Sequence, residues 1–128
     1  MFVRFVINRL DPDSGRRQGI LQALRELRDD DLLLPEEQEV CDEVFAWLFD
    51  NLDRPDTFSR SRKRHAAKVA LSWFKPTARE HIARMHVLAR VLEAHGLQVD
   101  IIEERRPGYI VHEDEYQVVA EPFQETRT

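Results

Sequence analysis

Cysteine is almost absent from this chain of 128 residues: Cys41 stands alone. An internal disulfide and a four-cysteine zinc site are both excluded, and any metal would have to be held by histidines and carboxylates. Glycine is also scarce, with four in all, and neither Gly15 nor Gly19 is followed by the Gly-Lys-Ser/Thr of a phosphate-cradling loop. Long apolar runs are missing too. The longest, Val44 to Phe49, falls far short of the roughly 20 residues that span a bilayer. The first residues, Met-Phe-Val-Arg-Phe-Val-Ile-Asn-Arg, carry too short an apolar stretch and no small-residue cleavage site for a secretory signal. Together these absences lead us to expect a cytoplasmic protein with no membrane partner.

What is present is charge, unevenly distributed. The apolar fraction is 42% and the charged fraction 34%, which suits a folded chain with a highly charged surface. The net charge of −5 hides four blocks of alternating sign. Residues 1–28 carry +3, 29–56 carry −10 with Arg54 as the lone cation, 57–92 carry +8 with Glu80 as the lone acid, and 93–128 carry −6. A fold that brought the middle blocks together would neutralise itself. One that kept them apart would present surfaces able to select a charged partner.

Hydropathic periodicity gives the elements. Phe2 to Ile7 reads as a strand, with Val3, Phe5 and Ile7 on one face and Arg4 interrupting the other. Turn chemistry at 11–15 precedes a first helix over about Arg16 to Arg28. Pro35-Glu36-Glu37 opens a second helix, with an inward stripe of Val40, Cys41, Val44, Phe45, Leu48 and Leu52. The polar segment 54–65 reads as a long loop, followed by a strand over Ala66 to Phe74. Thr77 and Glu80 have the spacing of a capping box for a third helix, which Gly96 stops. A strand from Leu97 to Glu104 follows, and then a hairpin of Tyr109–His112 and Tyr116–Glu121 around the loop Glu113-Asp114-Glu115.

The order β-α-α-β-α-β-β-β predicts a single α+β domain over residues 1–123, with helices on one face of a mixed sheet and a frayed tail at 124–128. The stretch 66–104 is expected to be a βαβ crossover with parallel strands. Ser72 to Ile82 (SWFKPTAREHI) and Pro107 to Phe123 (PGYIVHEDEYQVVAEPF) resemble a family of small bacterial proteins of uncharacterised function. That resemblance implies a bacterial cytoplasmic source and brings no activity, cofactor or ligand with it.

Four groups of residues are candidates for function. Lys75, Thr77 and Arg79 lie where a strand meets a helix N-terminus and could hold an anion, although the same residues suffice to start a helix. Arg60, Arg62, Lys63, Arg64 and His65 form a basic patch that could meet phosphates, against which stands a pI near 5.5. Glu113, Asp114 and Glu115 form an acidic hairpin tip, and Lys75, His81 and Glu113 are the best available enzyme site. The histidines show no metal spacing: His81 and His86 are five apart and point away from each other on a helix. No metal, no cofactor and no catalytic residue is expected. The expected function is therefore non-enzymatic: an interaction or regulatory protein that binds a partner protein, or a second copy of itself, through charge-segregated surfaces. A nucleic-acid-binding module using 60–65 and an enzyme are the alternatives.

Overall fold

A computed structural model describes residues 1–54 and 69–128. The described residues form six strands and three helices: β1 (Phe2–Leu10), β2 (Arg17–Gly19), α1 (Ile20–Asp29), α2 (Pro35–Asn51), β3 (Leu71–Phe74), α3 (Arg79–Ala94), β4 (Val99–Glu104), β5 (Tyr109–Glu113) and β6 (Gln117–Glu121). The α+β class and the order of the larger elements are as the periodicity predicts. The short β2 is an addition: the expected start of the first helix at Arg16 is instead a strand, and α1 begins at Ile20.

β1 is the organising strand. One edge pairs antiparallel with β4 from Phe2↔Glu104 to Ile7↔Val99. The other edge is shared, with β3 at Val3↔Phe74 and β2 at Val6↔Gly19 and Leu10↔Arg17. The sheet then continues through β3, β6 and β5. Every one of these ladders is antiparallel, which corrects the mixed sheet expected: β1, inserted beside β3, keeps the parallel β3 and β4 apart. Of the strand expected over 66–74, residues 66–68 lie outside the described residues. The crossover from β3 through α3 to β4 does join two parallel strands, but β1 is inserted between them.

Side-chain alternation along β1 builds two cores. Val3, Phe5 and Ile7 face the helices, where Leu24, Cys41, Val44, Leu88 and Leu92 close the main cluster. Each fully buried leucine there stabilises the fold by about 1.5–3 kcal/mol. On the other face Val6 meets Leu71, Trp73, Ile102 and Val118, with Phe2 and Ile110 against them. No described helix covers this second cluster. The sheet curls around it instead, as its connectivity requires. β4 and β5 lie at opposite ends of the strand order, which in a flat sheet would separate them by about 19 Å. Only residues 105–108 join them.

The C-terminal tail closes the curl, in place of the fraying expected at 124–128. Arg16 donates to the carbonyls of Phe123 and Thr126, Arg17 Nε to the Thr128 carbonyl at 3.1 Å, and Arg127 to the Glu103 carbonyl at 3.2 Å. Thr126 is only 6% exposed. Its hydroxyl accepts from the Phe123 N–H at 3.0 Å.

Gly108 lies at the seam where the curl closes. It has φ +143°, and a Cβ built there would come within 2.0 Å of the Glu121 carbonyl oxygen. Gly96, at φ +80°, has open space around it. Gly96→Ala should therefore cost about 1–2 kcal/mol for the left-handed backbone alone. Gly108→Ala should cost more, because backbone must also move. Urea unfolding of the two variants against the parent gives the comparison.

Candidate functional site

The residues singled out in the sequence converge in part around the β5–β6 hairpin. Lys75 Nζ lies 2.8 Å from Glu113 Oε2, so the cation expected to attract an anion is already paired. The Lys75 backbone N–H donates to the Tyr116 carbonyl, which ties the end of β3 to the hairpin. Thr77 is not the cap of α3. The chain turns first, with Ala78 N–H on the Lys75 carbonyl and Arg79 N–H on the Thr77 carbonyl. Ala78 becomes the N-cap, without any side-chain cap. Glu80 consequently falls one position early for a capping box and pairs with Arg84 at 3.1 Å. Arg79 is exposed at the first helical position. The basic patch Arg60, Arg62, Lys63, Arg64 and His65 lies outside the described residues.

At the hairpin tip the three acids have different tasks. Glu113 holds Lys75. Glu115 is exposed, with no ion pair among the described residues. Asp114 organises the turn: Oδ1 accepts the N–H groups of Tyr116 at 2.9 Å and Gln117 at 3.1 Å. Its Oδ2 accepts from His112 Nε2 at 2.9 Å and from the Gln117 amide at 3.0 Å. Burial by itself would raise the Asp114 pKa. The hydrogen bonds from Tyr116, Gln117 and His112 together outweigh it and hold the carboxyl below its ordinary value. The buried Gln117 amide also donates to the Asp53 carbonyl, anchoring the end of α2 to the hairpin.

This arrangement brings Asp53, His112 and Asp114 within 4.8 Å of one another through atoms that could ligate a metal ion. Spacing in the sequence gave no sign of it. Internal hydrogen bonds already use both Asp114 oxygens and the facing nitrogen of His112, so the geometry has a sufficient cause without a cation. His81 is likewise accounted for. It is buried in a box of rings, with Trp47 at 4.7 Å, Tyr116 at 4.3 Å and Phe74 at 6.1 Å between centroids. Its Nε2 donates to the Asn51 carbonyl at 2.8 Å. Lys75, His81 and Glu113 are thus neighbours through Tyr116, but each is committed to a protein partner. Cys41 is fully buried, and burial with Asp42 and Glu37 nearby pushes its thiol up to about 11. It is inert as a nucleophile.

The feature that sequence reasoning missed is the outer face of α2. Glu36, Glu39, Val40, Glu43, Ala46 and Asp50 are all exposed there, and Phe49, 79% exposed, stands on the flank of that face, on the same side of the helix as Asp42. Among the described residues, α2's carboxylates have two basic side chains as partners: the Arg28 guanidinium lies 4.0 Å from Asp42, and the His95 ring lies 2.8 Å from Glu37. Glu37 also accepts the Leu34 N–H, which with His95 holds its carboxyl low. Among the described residues the acidic block therefore goes largely unpaired along this helix. Phe49 was obscured because it ends an apolar run whose other members, Val44 and Leu48, point inward. The α2 stripe expected in the core also included Val40, which lies at the surface.

No family model, no curated protein and no solved structure matches the chain. No helix among the described residues is long and apolar enough to cross a membrane.

Two outcomes follow from the hairpin and the helix start. Thr77→Ala should change stability by less than about 0.5 kcal/mol, because no capping bond is lost. Asp114→Ala should cost about 1–3 kcal/mol by freeing two N–H groups of the turn. Because the folded Asp114 pKa lies below the ordinary 3.8, its contribution is present above that value and is lost as pH falls through the folded one. Amide exchange at Tyr116 and Gln117, corrected for its intrinsic pH dependence, should lose protection on acidification in the parent and already be unprotected in the alanine variant.

Proposed function

We propose that this protein is a non-enzymatic interaction protein, working in the cytoplasm, that docks a basic partner protein on the outer face of α2. The carrying observation is the exposed Phe49 ring on the flank of a helix face lined with exposed carboxylates, on the same side of the helix as Asp42. An aromatic anchor flanked by charge of one sign is the composition of a binding hot spot with an electrostatic steering rim. The aromatic ring supplies the desolvated contact, and the acids supply selection for cationic partners.

Charge favours a different chain over a second copy. A two-fold dimer through this face would set Glu39, Glu43 and Asp50 against their own equivalents, which opposes association. A nucleic acid is disfavoured at this face by the same argument.

A synthetic amphipathic peptide of lysine and leucine, carrying no acidic residue, is the probe. Its titration should perturb amide resonances of α2 around Phe49, with an affinity that falls as salt is raised. Phe49→Ala should weaken binding about tenfold or more, and Glu39→Lys with Glu43→Lys should remove the salt dependence. Perturbation mapped to another face, or unaltered binding by Phe49→Ala, would overturn the reading.

A further inference from the structure

We infer that the cavity where β3 parts from β1, beside the start of α1, is a binding site for a small organic monocarboxylate with an apolar body. The cavity measures about 540 Å³, within the range of small-molecule sites. It exists because β1 has a gap along its shared edge. β3 pairs with it at Val3 and β2 no nearer than Val6. Arg4 falls in that gap. Continuing the Val3↔Phe74 register sets Arg4 opposite Trp73, and both residues line the cavity.

Two buried side chains of the lining carry donors without partners. Arg4 is 7% exposed and Trp73 1%. The Arg4 Nε and the Trp73 Nε1 are buried, and neither has a hydrogen-bond partner. Guanidinium and indole nitrogens can only donate. A buried donor left unpaired costs about 1–3 kcal/mol, so each of these two calls for an acceptor. α1 adds more donors. Its first residues, Ile20 to Gln22, line the cavity, its N-cap is Gly19 with no side-chain cap, and its first turn holds no acid. The helix N-terminus therefore turns uncapped N–H groups and a partial positive charge toward the same space.

Arg4 remains a cation at neutral pH. Its pKa is lowered to about 10, first by burial and then by Arg17, while Asp11 acts in the opposite sense. Its one hydrogen bond is from Nη2 to the Arg17 carbonyl. Asp11 does not serve as a counterion by contact, since its carboxylate takes the N–H groups of Asp13 and Ser14.

The remaining lining sets the ligand class. Leu21, Leu71, Phe74 and Met85 offer apolar wall to a hydrocarbon or ring. Asp11, Asp13 and Asp53 also border the cavity. They oppose a dianion such as phosphate more strongly than a monoanion. A carboxylate head on Arg4, Trp73 and the α1 N-terminus, with its body over the apolar wall, satisfies each of these constraints.

The test uses the full chain with Trp47→Phe, which leaves Trp73 as the only indole. The Trp73 Nε1–H resonance is followed by NMR while phenylacetate, its uncharged analogue phenylacetamide, or sodium phosphate is added at constant ionic strength. The expected result is a saturable shift with phenylacetate and none with the other two. Arg4→Met should weaken binding more than tenfold. Should that variant not fold, Gly19→Asp provides the same decision: the nearest atom to its Cβ is the Phe5 carbonyl oxygen at 4.0 Å. Its carboxylate would cap α1 from within and exclude the ligand's. No phenylacetate response, as expected if the donors meet only a buried water, overturns the inference. So does an equal response to phenylacetamide or phosphate, or binding unchanged in the variant that folds.

Discussion

The register of β1 is the constraint on which the rest depends. Three ladders meet this one strand, and its odd residues face the helices while its even residues face the inside of the curl. A slip of one residue would exchange the two sets and push the Arg4 charge under α1 and α3. The long β4 ladder fixes the register over six successive pairs. With that edge held, the opposite edge can be divided between β2 and β3 and left open between them. The gap in the sheet, the cavity beside it and the position of Arg4 all descend from this asymmetry.

How the arginines bond explains why, among the described residues, the acidic face of α2 stays largely unpaired. Arg4, Arg16, Arg17 and Arg127 all donate to backbone carbonyls, of β2, the tail or β4. The guanidinium groups of Arg16, Arg17 and Arg127 used in this way hold the tail across the open end of the curl. They are consequently spent on closure and do not reach the α2 carboxylates. Arg84, which could have reached across, lies 4.1 Å over the Trp47 ring and pairs within its own helix to Glu80. Among the described residues the segregation seen along the sequence thus survives on this face, because Arg84 and the tail-binding arginines have carbonyls and rings as partners.

Legibility in the sequence followed the length of the pattern. The helical stripes of α2 and α3, the alternation in β4 and the hairpin were all readable, since each repeats its period several times. β2 was not, because three residues cannot display a period of two against the helical signal that follows immediately. The start of α3 was misread for a related reason: the Thr77–Glu80 spacing is a local signal, and a turn anchored at Lys75 by the hairpin shifted the helix past it. The curl of the sheet depends on which strands are neighbours, and local periodicity carries nothing about that. Of the functional features, Arg4 left a visible mark as a charge breaking an apolar strand. Phe49 left none, since its inward or outward direction depends on the phase of α2.

The two polar centres of the molecule show opposite uses of buried hydrogen-bonding capacity. At the hairpin every donor around Asp114 is met: Tyr116 and Gln117 N–H on one oxygen, His112 and the Gln117 amide on the other. Such a network rigidifies its surroundings and specifies one turn geometry. At the β1–β3 gap the same economy fails, and Arg4 and Trp73 keep donors without acceptors. β1 pairs with β3 at Val3 and with β2 at Val6, so Arg4 lies between the two ladders and its orphaned donor bears the desolvation. In a chain whose other local choices are consistent with one another, an unsatisfied pair beside a cavity is where a demand other than stability is expected to act. The apolar walls and uncapped helix start around that pair have the right composition to meet such a demand from outside the chain.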